Sequence, residues 1–373
     1  MDAAIASQET ALIDGLDFKL GATANYVSGR NQNSYFPAGG STFAPVGGNR
    51  VIRFTLGGGM PEWLDPRSVN ITYDLRNTAT PESGHSDGRP FLEPVKASNN
   101  GVLPSTAFSR MRILMGGQVV EDVTSYNRVS FLASSILQPA HALQDETNAA
   151  ETSVKAGESI NFGFRPLSGL FAQSKYLPLK YGSLSVELTL CPADEWLATG
   201  GTTTQNFQLE NVTLSADTIT LDSELQNQFD SFILSGNPMP ISFSTYSVSE
   251  HVLTGATFAV QLSRAMSRLQ SVFFTFERDA SKSNTVKKAN QAYHSGEQSY
   301  QWQLSIDGKK FPSAPAQGFA QSLHRLYQAT GINGSPIYSL AVSGDQYRDN
   351  SFAAGVDTEA LTTGSSTGID TRG

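Results

Sequence analysis

Apolar and polar positions alternate along most of this chain, and a period of two over about four to eight residues marks a strand with one buried face. In Val51–Leu56 the residues Ile52, Phe54 and Leu56 alternate with Val51, Arg53 and Thr55, and Gly57-Gly58-Gly59 ends the run. Val69, Ile71, Tyr73 and Leu75 mark a second strand; Ser159–Arg165 and Leu184–Leu190 mark two more. Further along, Phe207–Leu214, Ile241–Val248, Phe258–Leu262, Val272–Glu277 and Trp302–Ile306 read the same way. Helical spacing is convincing in only three places. The first is about Thr124 to Leu137, with Tyr126, Val129, Leu132, Ala133 and Ile136 inward and Pro139 as the stop. The second starts at Asp222 or Ser223, presents Leu225, Phe229, Phe232 and Ile233 on one face, and stops at Gly236 and Pro238. The third carries Phe319, Leu323, Leu326 and Tyr327 and ends near Gly331. Short helices between strands suit the ends of sandwiches better than the crossovers of a parallel sheet.

The pattern also occurs twice. RMRILMGGQVVEDVTSYNRVSFLASSIL at 110–137 and QWQLSIDGKKFPSAPAQGFAQSLHRLYQ at 301–328 each read as strand, tight glycine turn, extended segment and helix. Asp307-Gly308 is a strong two-residue hairpin signal, because both residues tolerate positive φ. Ser68–Asp74 precedes the first unit as Ser271–Glu277 precedes the second. A solenoid repeats every 20–50 residues or so, and this period is far longer, so the chain reads as a duplicated domain. At 373 residues it also exceeds what one hydrophobic core usually serves. The polar, Gly- and Thr-rich stretch Ala193–Gln205 is the natural boundary, giving domains 1–195 and 196–373. The Pro-, Gly-, Ser- and Lys-containing insertions 77–107 and 279–299 fall at matching places in the two halves.

Composition narrows the class. Apolar residues make up 39% and charged residues 16%, with Gly, Ser, Thr, Asn and Gln taking up the difference, as suits many short strands joined by polar loops. The formal net charge of −8, with Lys287-Lys288 and Lys309-Lys310 as the Lys doublets, argues against direct nucleic-acid binding. A single cysteine, Cys191, cannot form an intrachain disulfide. No basic-then-apolar leader opens the sequence, and no run approaches the length of a transmembrane segment. The Asn-x-Ser/Thr matches at Asn70, Asn211 and Asn333 are read as chance occurrences.

Candidate chemistry is sparse, and no catalytic, cofactor-binding or metal residue is assigned. His85, His141, His251, His294 and His324 show no metal-ligand spacing, and His324 falls on the outward side of the third helix. Cys191 reads as a small apolar residue at a strand end. Gly57-Gly58-Gly59 lacks the helix start and Lys-Ser/Thr of a phosphate cradle. Asp222 and Glu224 sit at a helix start, where carboxylates favour the dipole, so they need not be an acid/base pair. Gly169-Leu170-Phe171 with Tyr176-Leu177-Pro178-Leu179 is either core or a contact surface, and Trp63 and Trp196, in loop contexts, pose the same question.

Several segments together resemble the double jelly-roll major capsid proteins of eukaryotic double-stranded DNA viruses, most closely the Polinton-like, virophage and adintovirus group. They are Met111–Ile136, Phe164–Leu190, Trp302–Gly331 and the C-terminal TGIDTRG. The resemblance implies an all-β fold of two tandem antiparallel jelly-roll sandwiches with a few short helices, the strands standing perpendicular to the capsid shell. It implies a non-enzymatic major capsid protein that forms homotrimers, each a pseudo-hexameric capsomer of an icosahedral shell. Partners would be other copies of the chain, a single jelly-roll penton protein and minor capsid proteins, with no cofactor. The location would be the virion, assembled inside the host cell, and the insertions 77–107 and 279–299 would form outward towers. A jelly roll shelters its strand edges, so copies can crowd without strand-to-strand aggregation, and an acidic surface keeps free capsomers soluble. The alternative is a two-domain β-sandwich carbohydrate-binding module; a sandwich hydrolase would need a triad or carboxylate pair that is not seen. In one respect the chain departs from the pattern. No closing strand as clear as Leu184–Leu190 follows Gly331, so the second jelly roll is expected to lack its last strand, with the sequence stopping short of its natural C-terminus.

Overall fold

The computed structural model describes residues 27–57, 61–94, 102–137, 153–198, 200–277, 300–331, 344–349, 351–359 and 368–372, together with Ala292, Leu340 and Val342. Eleven strands build the first half. They are β1 (Val27–Tyr35), β2 (Thr42–Phe43), β3 (Val51–Leu56), β4 (Glu62–Leu64), β5 (Asn70–Asn77) and β6 (Phe108–Met115), followed by β7 (Gln118–Thr124), β8 (Ser159–Phe164), β9 (Leu177–Pro178), β10 (Leu184–Leu190) and β11 (Phe207–Leu221). One sheet runs β1-β11-β5-β8, with β2 and β4 also on β11 and β9 on β4; every pairing is antiparallel. The facing sheet runs β3-β10-β6-β7, again antiparallel. The chain passes back and forth between the two sheets, which is the winding of a jelly roll.

The alternation read from the sequence places the core. Ile52, Phe54 and Leu56 of β3 and Leu184, Val186, Leu188 and Leu190 of β10 are fully buried. Across the outer face of that sheet Arg53, Glu187, Arg112 and Asp122 stand in register on four successive strands. Arg53 and Arg112 both pair with Glu187, and Arg110 with Asp122. Opposite charges directly across strands stabilise a sheet, and the long arginine stems cover Glu187, which is buried despite facing outward.

The strand starting at Phe207, expected in the second half, is the central strand of the first sandwich's larger sheet. It is longer than its sequence pattern suggests because of a bulge at Asn211, whose φ is +51°. Phe207 and Leu209 point inward before it, and Val212, Leu214 and Ala216 after it, so the parity of the buried face switches there. The stretch read as a linker is likewise part of this half: Ala193–Trp196 is a helical turn, and Trp196 is fully buried 5.3 Å from the Phe207 ring. An indole plug and a bulged strand, not a polar hinge, occupy the expected boundary.

Six helices accompany the strands: α1 (Tyr126–Phe131), α2 (Gly169–Ala172), α3 (Ala193–Trp196), α4 (Ser223–Leu234), α5 (Gly318–Ala329) and α6 (Gly344–Asp349). The first predicted helix is α1, extended by a wider π-type turn over Leu132–Leu137. Asp222 caps α4 as expected, accepting from the Glu224 N–H at 3.2 Å. Its apolar face is less buried than the spacing suggests: Leu225, Phe229 and Ile233 are half-buried and Phe232 is exposed, because α4 meets the sandwich along one edge only.

The second half repeats the order of the first. Here β12 (Ser271–Phe274) pairs with β15 (Ala354–Asp357), and β13 (Gln301–Ile306) with β14 (Lys309–Gln317). Asp307 and Gly308 form the predicted hairpin turn with φ of +47° and +74°, matching Gly116 and Gly117 at +56° and +82° between β6 and β7. As α1 follows β7, α5 follows β14. The aromatic centre of this half is Phe352, ringed by Phe276, Tyr300, Phe319 and Tyr347. Trp302 Nε1–H and the Tyr300 hydroxyl both donate to Ser322 Oγ on α5. Ile241–Val248 and Phe258–Leu262, expected as strands, are not hydrogen-bonded into any sheet among the described residues.

One helix feeds both cores. Tyr126 of α1 belongs to the cluster inside the first sandwich, whereas Phe131 and Ile136 join Leu326, Leu340 and Phe352 in the second. Phe352→Ala is expected to cost about 3–5 kcal/mol, the usual range for removing a buried aromatic ring. Limited proteolysis during denaturant unfolding should show cleavage of the second half first, with the β3-β10-β6-β7 sheet still resistant.

Candidate functional surface

No constellation of catalytic or metal-ligating side chains stands out among the described residues, where no group of three or more His, Cys, Asp and Glu side chains could hold a metal ion. His85, His251 and His324 are exposed and scattered, and His141 and His294 lie outside the described residues. Cys191 is fully buried at the end of β10, its Sγ–H 3.7 Å from the Thr106 carbonyl. Burial, with Glu195 nearby, pushes its thiol far above the ordinary range, so it is no nucleophile. Of the glycine triplet, Gly57 ends β3 at φ +88° against Leu179, and its two neighbours lie outside the described residues. Asn70 opens β5, and Asn211 at the bulge donates to Asp74.

The aromatic residues considered for contacts between subunits turn inward for the most part. Leu170, Phe171, Leu177 and Leu179 are core, and Tyr176 is exposed. Trp63 lies in β4 rather than a loop, stacked 4.9 Å from Phe229, with Nε1–H donating to Gln226 of α4 at 3.0 Å. Gln226 donates in turn to the Tyr181 hydroxyl and to Asp230, and Asp230 also accepts from Tyr181 and Lys180, both at 2.6 Å. Burial and the bond to Asp230 push the Tyr181 hydroxyl up to about 12. This network fastens α4 to the first sandwich.

The two halves meet through residues that the sequence reading did not single out. Arg128 of α1 reaches Glu277 ahead of β13 with Nη2–H···Oε2 at 3.0 Å, and Glu195 of α3 at 3.2 Å. Burial opposes its charge, but Glu277 and Glu195 outweigh that and hold the guanidinium above its usual value. Ser125 donates to Glu250. Glu121 on β7 is buried and accepts from the Ser168 hydroxyl, from Gly169 N–H at 3.2 Å and from the Thr245 hydroxyl at 2.9 Å. A signal for Glu121 was present: it shares the inward parity of Val123, and a carboxylate aimed at a core must find donors. Arg128 carries no such mark, being a lone arginine in a short helix.

Gly169 is where the halves come closest. A Cβ built there would stand 1.5 Å from the Ser244 carbonyl oxygen, so only glycine fits. Ile241 and Phe243 pack on the first core beside it. Gly169→Ala is expected to push the Ser244 backbone away, break the Glu121–Thr245 bond and cost about 1–3 kcal/mol by overpacking. Faster amide exchange over Ile241–Tyr246, with the first sandwich unchanged, would show it. Cys191 offers a separate check, since its thiol should resist iodoacetamide at pH 8 in the folded chain and react only on unfolding.

From Tyr246 to Leu262 the chain is open to solvent. Tyr246, Leu253, Phe258, Val260 and Leu262 are 37–48% exposed and Val252 95%. Phe232 and Leu234 of α4 add a second exposed apolar patch. Contiguous apolar surface of this kind marks contact sites.

No family model and no curated protein sequence matches the chain. Solved structures do. The PBCV-1 virus capsid, a quasi-atomic model, matches with a TM-score of 0.59 at 11% identity, over 94% of this chain and 83% of that one. The crystal structure of PBCV-1 VP54, fitted into a reconstruction of the virophage Sputnik, matches with a TM-score of 0.58 at 12% identity, over 95% and 84%. The likeness spans both halves and shows the fold to be a double jelly roll.

Proposed function

We propose that this chain is the major capsid subunit of an icosahedral double-stranded DNA virus, a structural protein of the virion. The observation that carries this reading is the match of nearly the whole chain, both jelly rolls in the same order, to the PBCV-1 virus capsid. The architecture supports it. Two linked sandwiches per chain give six similar lobes from three chains, which tile a shell with few distinct contacts. The role requires no reaction, and the described side chains offer no catalytic arrangement that would compete with it. The carbohydrate-binding alternative gains no support, since the solved relatives found are capsids.

On this reading the subunit forms a homotrimer and packs against neighbouring trimers, with separate penton and minor proteins completing the shell inside the host cell. The first jelly roll runs from Val27 to Leu221, later than the Ala193–Gln205 boundary read from sequence, because β11 belongs to it; α4 then leads into the second. The segment Asn77–Pro94 ties back to Val154 and to Leu197–Asn206 at one end of the first sandwich, a fitting base for an outward tower. The matching insertion 279–299 lies outside the described residues apart from Ala292. Helices long and apolar enough to cross a membrane are absent among the described residues.

Size-exclusion chromatography with light scattering tests the reading directly. A mass three times the 40.0 kDa subunit, stable to dilution as large obligate interfaces are, is expected. Negative-stain images should show particles of hexagonal outline with three-fold symmetry. A dilution-sensitive monomer that binds glycans would overturn the reading.

A further inference from the structure

Three strand pairings of the first half recur in the second. β5–β8 has its counterpart in β12–β15, and β6–β7 in β13–β14. The short β4–β9 pairing, Leu64 opposite Leu177, has its counterpart in the antiparallel bridge of Leu269 with Ile369. Leu269 and Ile369 exchange both backbone hydrogen bonds, at 2.9 and 3.1 Å, and Thr371 N–H donates to the Met266 carbonyl at 2.8 Å. Two further pairings complete the first sandwich: β3 with β10, and β1 with β11. Neither has a counterpart among the described residues of the second half.

Their absence leaves two arms bare. Ile241–Val248 and Phe258–Leu262 precede β12 as β1 and β3 precede β5, and both alternate like strands. Among the described residues no backbone hydrogen bond reaches Ile241–Ala265. Extended backbone with unmet donors and acceptors, carrying Tyr246, Phe258, Val260 and Leu262 in the open, is a template for added strands. A lipid or small ligand would cover the side chains but not satisfy the backbone.

The direction of the chain names the occupant. In the first half the chain leaves β9, enters β10 beside β3, and then forms β11 beside β1. In the second half Ile369 holds the place of β9, and Gly368–Arg372 runs antiparallel to Met266–Leu269, toward Arg264 and Leu262. We propose that the two arms are a docking surface for two further antiparallel strands that continue the Gly368–Arg372 run of this same chain. The first, the counterpart of β10, pairs with Phe258–Leu262. The second, the counterpart of β11, pairs with Ile241–Val248 and carries apolar residues at alternate positions on its inner face. This inference rests on the internal duplication and stands apart from the capsid reading.

Hydrogen exchange with mass spectrometry, on the 373-residue chain and on the subunit isolated from its natural source, tests it together with the intact mass of the latter. The natural subunit should be heavier than 40.0 kDa. Its amides in both arms should exchange on the order of 100-fold more slowly than in the 373-residue chain, as paired strands do. A natural subunit of 40.0 kDa would overturn the proposal, as would a heavier one whose arms exchange freely. Protection of the arms in the 373-residue chain only on self-association would assign them to a second copy and overturn it equally. None of these outcomes depends on whether the protein forms a shell, which the trimer measurement decides separately.

Discussion

The backbone ladder of β11 is the interaction on which the first jelly roll depends. Its fifteen residues pair with β1, β2, β4 and β5, so segments from Val27 to Asn77 are held in one sheet by a strand that begins at Phe207. Such a strand joins the beginning of the domain to its end. Until it is in place, β1 has no partner and β5 is bare on one side, and the facing sheet has nothing to enclose its apolar side chains. The bulge at Asn211 lets one long strand serve two sets of partners, because it resets which side chains face inward midway along.

Between the halves the contact is of another kind. Helix α1 and its π-type extension send Tyr126 into one core and Phe131 and Ile136 into the other, so the two hydrophobic interiors share a structural element. Arg128 and Glu121 add directional bonds at the same seam, each satisfied by groups from more than one element. Apolar continuity makes the halves adhere; the charged and hydrogen-bonded groups settle which way they face.

Legibility followed the range of the determining interactions. β3, β10, the Asp307-Gly308 hairpin and the Asp222 cap were readable because the buried face or turn is encoded within a few residues. β11 was placed in the wrong half because its partners lie more than a hundred positions away and its parity changes at Asn211. Ala193–Gln205 read as a linker because its composition is polar, although Trp196 alone anchors it in the core. The arms around Phe258 had the right alternation, but alternation states a preference for a sheet and not the presence of a neighbour. The contact residues left almost no local trace: a glycine required by a carbonyl from another domain looks like any other glycine. The duplication was the signal that survived, since it compares the chain with itself.

The row of alternating charges across β3, β10, β6 and β7 bears on how the first sandwich meets whatever lies beside it. Arg53, Glu187, Arg112, Asp122 and Arg110 are paired among themselves, so that wall projects little net potential although it is built of ions. A molecule laid against it would feel shape and short-range hydrogen bonding more than long-range attraction. Packing through this wall would therefore tolerate swings in ionic strength that dissolve contacts made by opposing patches.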